Sequence, residues 1–213
     1  MLRLTPVVKN IVIINVIVFI AQKFSPMVDI SGCFNYPPGV RFDDAITAYL
    51  ALFNVSTACF KPYQLFTYMF VHGGLFHIFF NMLALSFLGP MLESFWGPKR
   101  FLLFYLITGI GAGGFNILID YFFGVGSFSS MVGASGAVYG VLTAFGVLFP
   151  NLELMLLFPP IPIKAKYLVM ILGGIAIYSG FTANPGDNTA HFAHLGGIVV
   201  AIILLQFWRG RGN

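Results

Sequence analysis

Between Asp120 and Glu153 the chain reads YFFGVGSFSSMVGASGAVYGVLTAFGVLFPNL (121–152), thirty-two residues without a single charge. A helix that crosses a bilayer needs about 20 mostly apolar residues. This stretch therefore holds one span and a lead-in. Four more charge-free windows lie on either side: 31 residues between Lys61 and Glu93, 19 between Arg100 and Asp120, 20 between Lys166 and Asp187, and 21 between Asp187 and Arg209. A sixth span runs from about Pro6 to Gln22, with Lys9 snorkelling to the interface. No small-residue cleavage site follows its apolar run, so it reads as a retained span rather than a signal peptide.

Composition agrees. Of 213 residues, 58% are hydrophobic and only 8% charged, with 7 acidic and 11 basic side chains. That is far below the usual charged share of about 25%. So few charges cannot coat a globule, which excludes a soluble domain, a disordered chain and a nucleic-acid module. The expected fold is an all-α membrane protein, a single six-span bundle covering residues 1–213.

The net charge of +4 is a topology signal. Six spans put both termini on one side. That side carries Arg3, Lys9, Lys99, Arg100, Lys164, Lys166, Arg209 and Arg211, against Lys23, Arg41 and Lys61 on the other. The positive-inside rule then places both termini in the cytoplasm. Trp96 and Trp208 fall at the cytoplasmic interface, where amphipathic rings are favoured.

One connection is long. Residues 23–61 form an outer loop with a turn signal at Pro37-Pro38-Gly39. Within it, Asp44 to Asn54 reads equally as a short interfacial helix or a packed loop. Both cysteines, Cys33 and Cys59, lie here. An oxidising exterior permits a bridge, but the sequence leaves bridged and free thiols equally open, because it supplies no distance.

Polar residues inside spans are costly and mark functional sites. All four histidines, His72, His77, His191 and His194, fall in or at the outer ends of spans, joined by Asn81 and Ser135. At 1.5 Å per helical residue, Ser135 lies about 22 Å, His194 about 21 Å and His77 about 20 Å above the inner ends of their spans, taking the second span to end near Pro90. Asn81 comes out at about 14 Å, and His72 and His191 nearer the outer surface. A serine and a neutral imidazole at one depth are the minimum for nucleophilic acyl transfer. Gly133 and Gly136 flank Ser135 and permit a tight turn and close substrate approach. A serine at a helix start also lies beside unpaired N–H groups that can bind an oxyanion. His77 and Asn81, one turn apart, add side-chain donors.

Three motifs in order give the chain its likeness. His72-x4-His77-x3-Asn81, Gly133-Ala134-Ser135-Gly136-x3-Gly140 and Ala193-His194-x2-Gly197 resemble the signatures of the rhomboid family of intramembrane serine proteases, over residues from about 60 to 208. The resemblance implies a Ser135–His194 catalytic dyad with no third carboxylate. It implies an oxyanion site of the Ser135 N–H, His77 and Asn81. Tyr139 occupies the position whose ring packs on the catalytic histidine, and His72, Gly133, Gly136, Gly140 and Gly197 support the site. His191 is a rival base, but only His194 has the glycine three residues on. The outer loop departs from the family pattern: it has no tryptophan and a single arginine, Arg41, where many relatives carry a Trp-Arg pair.

The expected activity is hydrolysis of a peptide bond in or near the transmembrane helix of another membrane protein. The fourth span would enter from the surface, with Ser135 in a water-filled cavity opening to the extracytoplasmic side of the cell membrane. The fifth span and the connection Thr182 to Thr189 would serve as gate and cap. The expected partners are transmembrane substrates and the bilayer, with no nucleic acid, no cofactor and no metal: there is no H-E-x-x-H and no intramembrane Asp pair. Two other classes are an inactive relative that binds helices without cutting them, and a transporter with a histidine proton relay. The first typically lacks the serine or the histidine. The second requires ionisable groups through the inner halves of the spans, which are nearly devoid of them.

Overall fold

The computed structural model describes residues 4–34, 36–123, 130–155, 160–182 and 191–210. Helix α1 (Pro6–Phe24) starts with proline in its first turn, where the missing N–H costs nothing. The long loop follows with β1 (Met27–Asp29), a 3-10 turn Ser31–Phe34, β2 (Phe42–Asp44) and α2 (Ala45–Leu50), and just beyond it α3 (Gln64–Thr67). Then come α4 (Leu75–Trp96), α5 (Pro98–Phe123), α6 (Ser135–Leu148), β3 (Glu153–Met155), β4 (Pro162–Lys164), α7 (Ala165–Thr182) and α8 (His191–Arg209).

Five of these helices, α1, α4, α5, α7 and α8, are long and apolar enough to cross a membrane. Large apolar side chains such as Ile17, Phe76, Phe80, Met170 and Ile203 lie exposed on their outer faces. In water such faces would aggregate; in lipid they are solvated. The chain is a multi-pass integral membrane protein. Of the three shorter helices, the longest, α6, has only 14 residues and is about 21 Å long, short of the ~30 Å hydrocarbon core. It is buried along nearly its whole length and packs on α4, α5, α7 and α8.

Glu93, on the last turn of α4, is 3% exposed and accepts hydrogen bonds from the Thr5 hydroxyl and the N–H groups of Val7 and Val8. A carboxylate at the start of α1 satisfies its orphan donors and faces the positive end of its dipole. At the same end of the bundle, Trp96 and Trp208 pack edge to face at 5.5 Å, with the Arg100 guanidinium 4.3 Å over the Trp208 ring.

Several local expectations change. The second span continues past Pro90 to Trp96; neighbouring helices let a membrane helix tolerate an internal proline. The depth taken from Pro90 therefore understates how far His77 and Asn81 lie from the inner end. His72 precedes α4 rather than standing on it. Gly73 and Gly74 intervene, so the helical rise does not apply to it. The two small antiparallel sheets, β1–β2 and β3–β4, leave no apolar-run signal at three residues each. In the second, Glu153 faces Lys164 across the strands, an attractive cross-strand pair.

The outer loop is well tied. Cys33 and Cys59 form a disulfide with Cα atoms 5.4 Å apart. Around it Ile30, Phe34, Ala51 and Phe53 make a second small core, against which Val132 packs. The Arg41 guanidinium lies 4.0 Å over the Phe34 ring, a cation–π contact in a loop that lacks tryptophan. Asp29 accepts from the Ser31 hydroxyl, the Ser31 N–H and the Gly39 N–H, which together hold its carboxyl below the usual carboxylate range. The Pro37–Gly39 turn is present, with Gly39 at φ 84°. Asp44 caps α2 by accepting the Thr47 N–H at 2.9 Å, so the helical reading of 44–54 holds for six residues and the packed-loop reading for the rest.

Candidate active site

Ser135 is the first residue of α6 and His194 lies in the first turn of α8. The Ser135 Oγ and His194 Nε2 atoms are 2.8 Å apart. With the ring proton on Nδ1, the serine hydroxyl donates to Nε2, the direction nucleophile activation requires. Two helices must come close for this contact, and glycine permits it. A Cβ built on Gly197 would lie 2.0 Å from the Gly136 carbonyl oxygen. A Cβ on Gly136 would lie 2.6 Å from Ala112 Cβ of α5, and one on Gly140 2.7 Å from Thr108 Cβ. The three glycines thus let α6 seat directly against α5 and α8.

The Tyr139 ring, one turn after Ser135, stacks on the His194 ring with centroids 4.3 Å apart and planes 5° from parallel. A flat contact of this kind restrains the imidazole's rotation. His191 lies edge-on to His194 at 6.2 Å. The imidazole in reach of Ser135 is therefore that of His194.

The segment before Ser135 is held by backbone pairs. Met131 and Leu52 exchange N–H···O bonds of 2.8 and 2.9 Å, and the Gly133 N–H donates to Tyr68 O at 2.9 Å. Gly133 has φ +118°, and a Cβ there would lie 2.6 Å from His77 Nε2. Both the conformation and the ring behind it demand glycine. The His77 ring thus faces the turn that leads into Ser135. The His72 ring is 1% exposed. It packs edge-on against His77 at 5.1 Å, and its Nε2 accepts the Ala134 N–H at 3.5 Å.

Asn81 lies one turn further along α4, 6% exposed, with its Nδ2 donating to His77 O at 3.0 Å. One hydrogen of its amide is spent on its own helix; an NH2 group carries a second. The fold thus gathers Ser135, His194, Tyr139, His77, His72 and Gly133 into one neighbourhood, with Asn81 at its edge on α4. Among the described residues no three His, Cys, Asp or Glu side chains group as a metal site would need. The chain from Thr182 to Thr189, expected as a cap, lies outside the described residues after Thr182 itself.

Some contributors escape motif reading. Leu52, Met131 and Tyr68 act through main-chain groups, which no side-chain pattern records. Gln22 leaves a signal, a lone amide at the outer end of an apolar span, but its partners are distant in sequence.

Comparison with known proteins places this arrangement. The Rhomboid domain family matches residues 60–210. RHOMBOID-like protein 1 of Arabidopsis thaliana is 34% identical over 144 residues, which is 68% of this chain and 34% of the relative. Rhomboid protein 1, mitochondrial, of Saccharomyces cerevisiae is 30% identical over 134 residues, 63% of this chain and 38% of that protein. Rhomboid protease GluP of Bacillus subtilis is 32% identical over 170 residues, 76% of this chain and 30% of that protein. The chain spans little more than a third of the length of the first two relatives. The match runs through all three motifs and the helices that carry them, and on it the chain belongs to the rhomboid family.

Proposed function

We propose that this protein is an intramembrane serine endopeptidase that cuts a peptide bond in or near the transmembrane helix of another membrane protein. The observation that carries this reading is the 2.8 Å contact between Ser135 Oγ and His194 Nε2, made between two helices and braced by the stacked Tyr139 ring.

The chemistry needs no further group. His194 Nε2 takes the hydroxyl proton as Ser135 Oγ bonds to the scissile carbonyl carbon. The carbonyl electron pair moves onto its oxygen, and the oxyanion is received by the Ser135 N–H, His77 and Asn81. The intermediate collapses, the C–N bond breaks, and the His194 proton goes to the leaving amine. Water then gives a proton to His194 and its oxygen to the acyl carbon. Collapse releases the carboxyl product and returns the proton to Ser135. Because helical hydrogen bonds shield the scissile carbonyl, substrates should carry small or helix-breaking residues near the cut.

In this reading α6 is the fourth of six spans, both termini are cytoplasmic, and the site opens toward the outer face of the cell membrane. Eight cations against three support that orientation. So does a disulfide in the loop beside the site, since disulfides persist in oxidising compartments. Helix α7 and the chain after it are the gate and cap.

The test is fluorophosphonate labelling of the detergent-purified protein. Wild type and His191→Ala should label, and Ser135→Ala and His194→Ala should not. Labelling that survives Ser135→Ala refutes the nucleophile; loss in His191→Ala alone moves the base. Reporter fusions that place the C-terminus outside refute the topology.

A further inference from the structure

The stretch Val71 to Gly74, between the 3-10 turn Tyr68–Phe70 and α4, has no regular structure of its own. Val71 is extended, with φ −92° and ψ 142°, and two glycines follow His72. Yet His72 is 1% exposed, so its main-chain N–H and C=O need partners. Both are met by one side chain. The His72 N–H donates to Gln22 Oε1 at 3.1 Å, and Gln22 Nε2 donates to His72 O at 3.2 Å. The amide of Gln22 pairs with this residue as a neighbouring strand would.

Gln22 is itself held. It is 5% exposed on the last turn of α1. Its Nε2 also donates to Thr47 Oγ1 at 2.8 Å, and the Thr47 hydroxyl donates to the Asp44 carboxylate. A chain of bonds ending on a carboxylate fixes the amide's orientation, nitrogen toward Thr47 and oxygen toward the His72 N–H. Beyond Gln22 the His72 ring abuts His77 and takes the Ala134 N–H, next to Ser135. Slack at His72 would pass directly to the ring that faces the Gly133 turn.

From this arrangement we infer that Gln22 is a positioning residue: it clamps the His72 peptide and thereby sets the oxyanion side of the site. The inference rests on the protease reading above, in which His77 and the Ser135 N–H receive the developing charge. Sites of this kind tolerate only about 0.5 Å of misplacement, and donors aimed at a transition state are worth about 10²–10³-fold in rate.

The test uses Gln22→Met, which keeps the side chain's size and removes its three hydrogen bonds, in the full-length protein in detergent. A fluorophosphonate probe measures the limiting labelling rate kinact and half-saturation KI, because its phosphonyl oxygen occupies the oxyanion position. Thr5→Val, which cuts a hydrogen bond at the other end of α1, is the comparator for simple loss of stability. Gln22→Met should slow kinact about 10- to 100-fold, with KI and the pH midpoint of kinact within experimental error of wild type. Thr5→Val should stay within about twofold at a temperature where both are folded. Equal slowing in the two variants, or a Gln22→Met kinact within about twofold of wild type, overturns the inference. A wild type that does not label, or a Ser135→Ala variant that does, overturns the protease reading and this inference with it.

Discussion

Gly197→Ala tests the tightest glycine contact among the described residues. The new Cβ would lie 2.0 Å from the Gly136 carbonyl oxygen and 2.9 Å from its carbon. Ordinary contact begins near 3.4 Å, so α6 and α8 must part by about 1.4 Å at this point. Both atoms are helical backbone, which cannot rotate aside as a side chain can. Ser135 adjoins Gly136, and His194 lies one turn before Gly197. If the same opening reaches them, their 2.8 Å contact becomes about 4 Å, outside hydrogen-bond range. A misplacement of about 1 Å costs on the order of 10²-fold in rate, and overpacking of this kind costs about 1–3 kcal/mol of stability. The assay is the fluorophosphonate labelling rate at saturating probe, beside thermal unfolding in the same detergent. Gly114→Ala on α5, where a Cβ meets nothing within 4 Å, is the comparator, and should be neutral or stabilise by about 0.5–1 kcal/mol. A Gly197→Ala protein that labels within about threefold of wild type would refute the reasoning: the helices would then be shown to hold the dyad without this contact.

Two further outcomes follow from local contacts. Tyr139→Phe keeps the ring stacked on His194 and should label within about threefold of wild type. Tyr139→Ala loses a contact worth about 0.5–1.5 kcal/mol in placing the imidazole and should label roughly 3- to 10-fold more slowly, as read from kinact. Reduction of Cys33–Cys59, 26 residues apart, releases a loop whose closure is worth about 3 kcal/mol. It should lower the melting temperature of wild type and leave a Cys33→Ser/Cys59→Ser variant unmoved. An unchanged melting temperature with both thiols open to alkylation contradicts that estimate.

Much of this protein was legible before any fold was known. In lipid the cost of an unpaired charge is so large that the gaps between charges mark the helices: each of four windows overlaps one long helix, α4, α5, α7 or α8, and the fifth contains α6. The depth comparison worked for Ser135 and His194 because both sit on regular helices of fixed rise. It does not extend to His72, which precedes α4 with Gly73 and Gly74 between, and its inner reference at Pro90 lies inside α4, which continues to Trp96. The length of α6 was not legible either. An uncharged run of 32 residues does not say where its helix begins, because the lead-in is as apolar as the helix.

The residue types needed for acyl transfer, and the likeness that orders them, are properties of the chain as written. Their meeting is not. The Ser135–His194 contact exists because Gly136 and Gly197 let two backbones touch, and the bracing around it runs through pairs such as Leu52–Met131 and Gln22–His72 that are far apart along the chain. Local spacing reports the face of a helix and the depth of a residue. Which faces meet, and how closely, depends on the packing of all the helices at once.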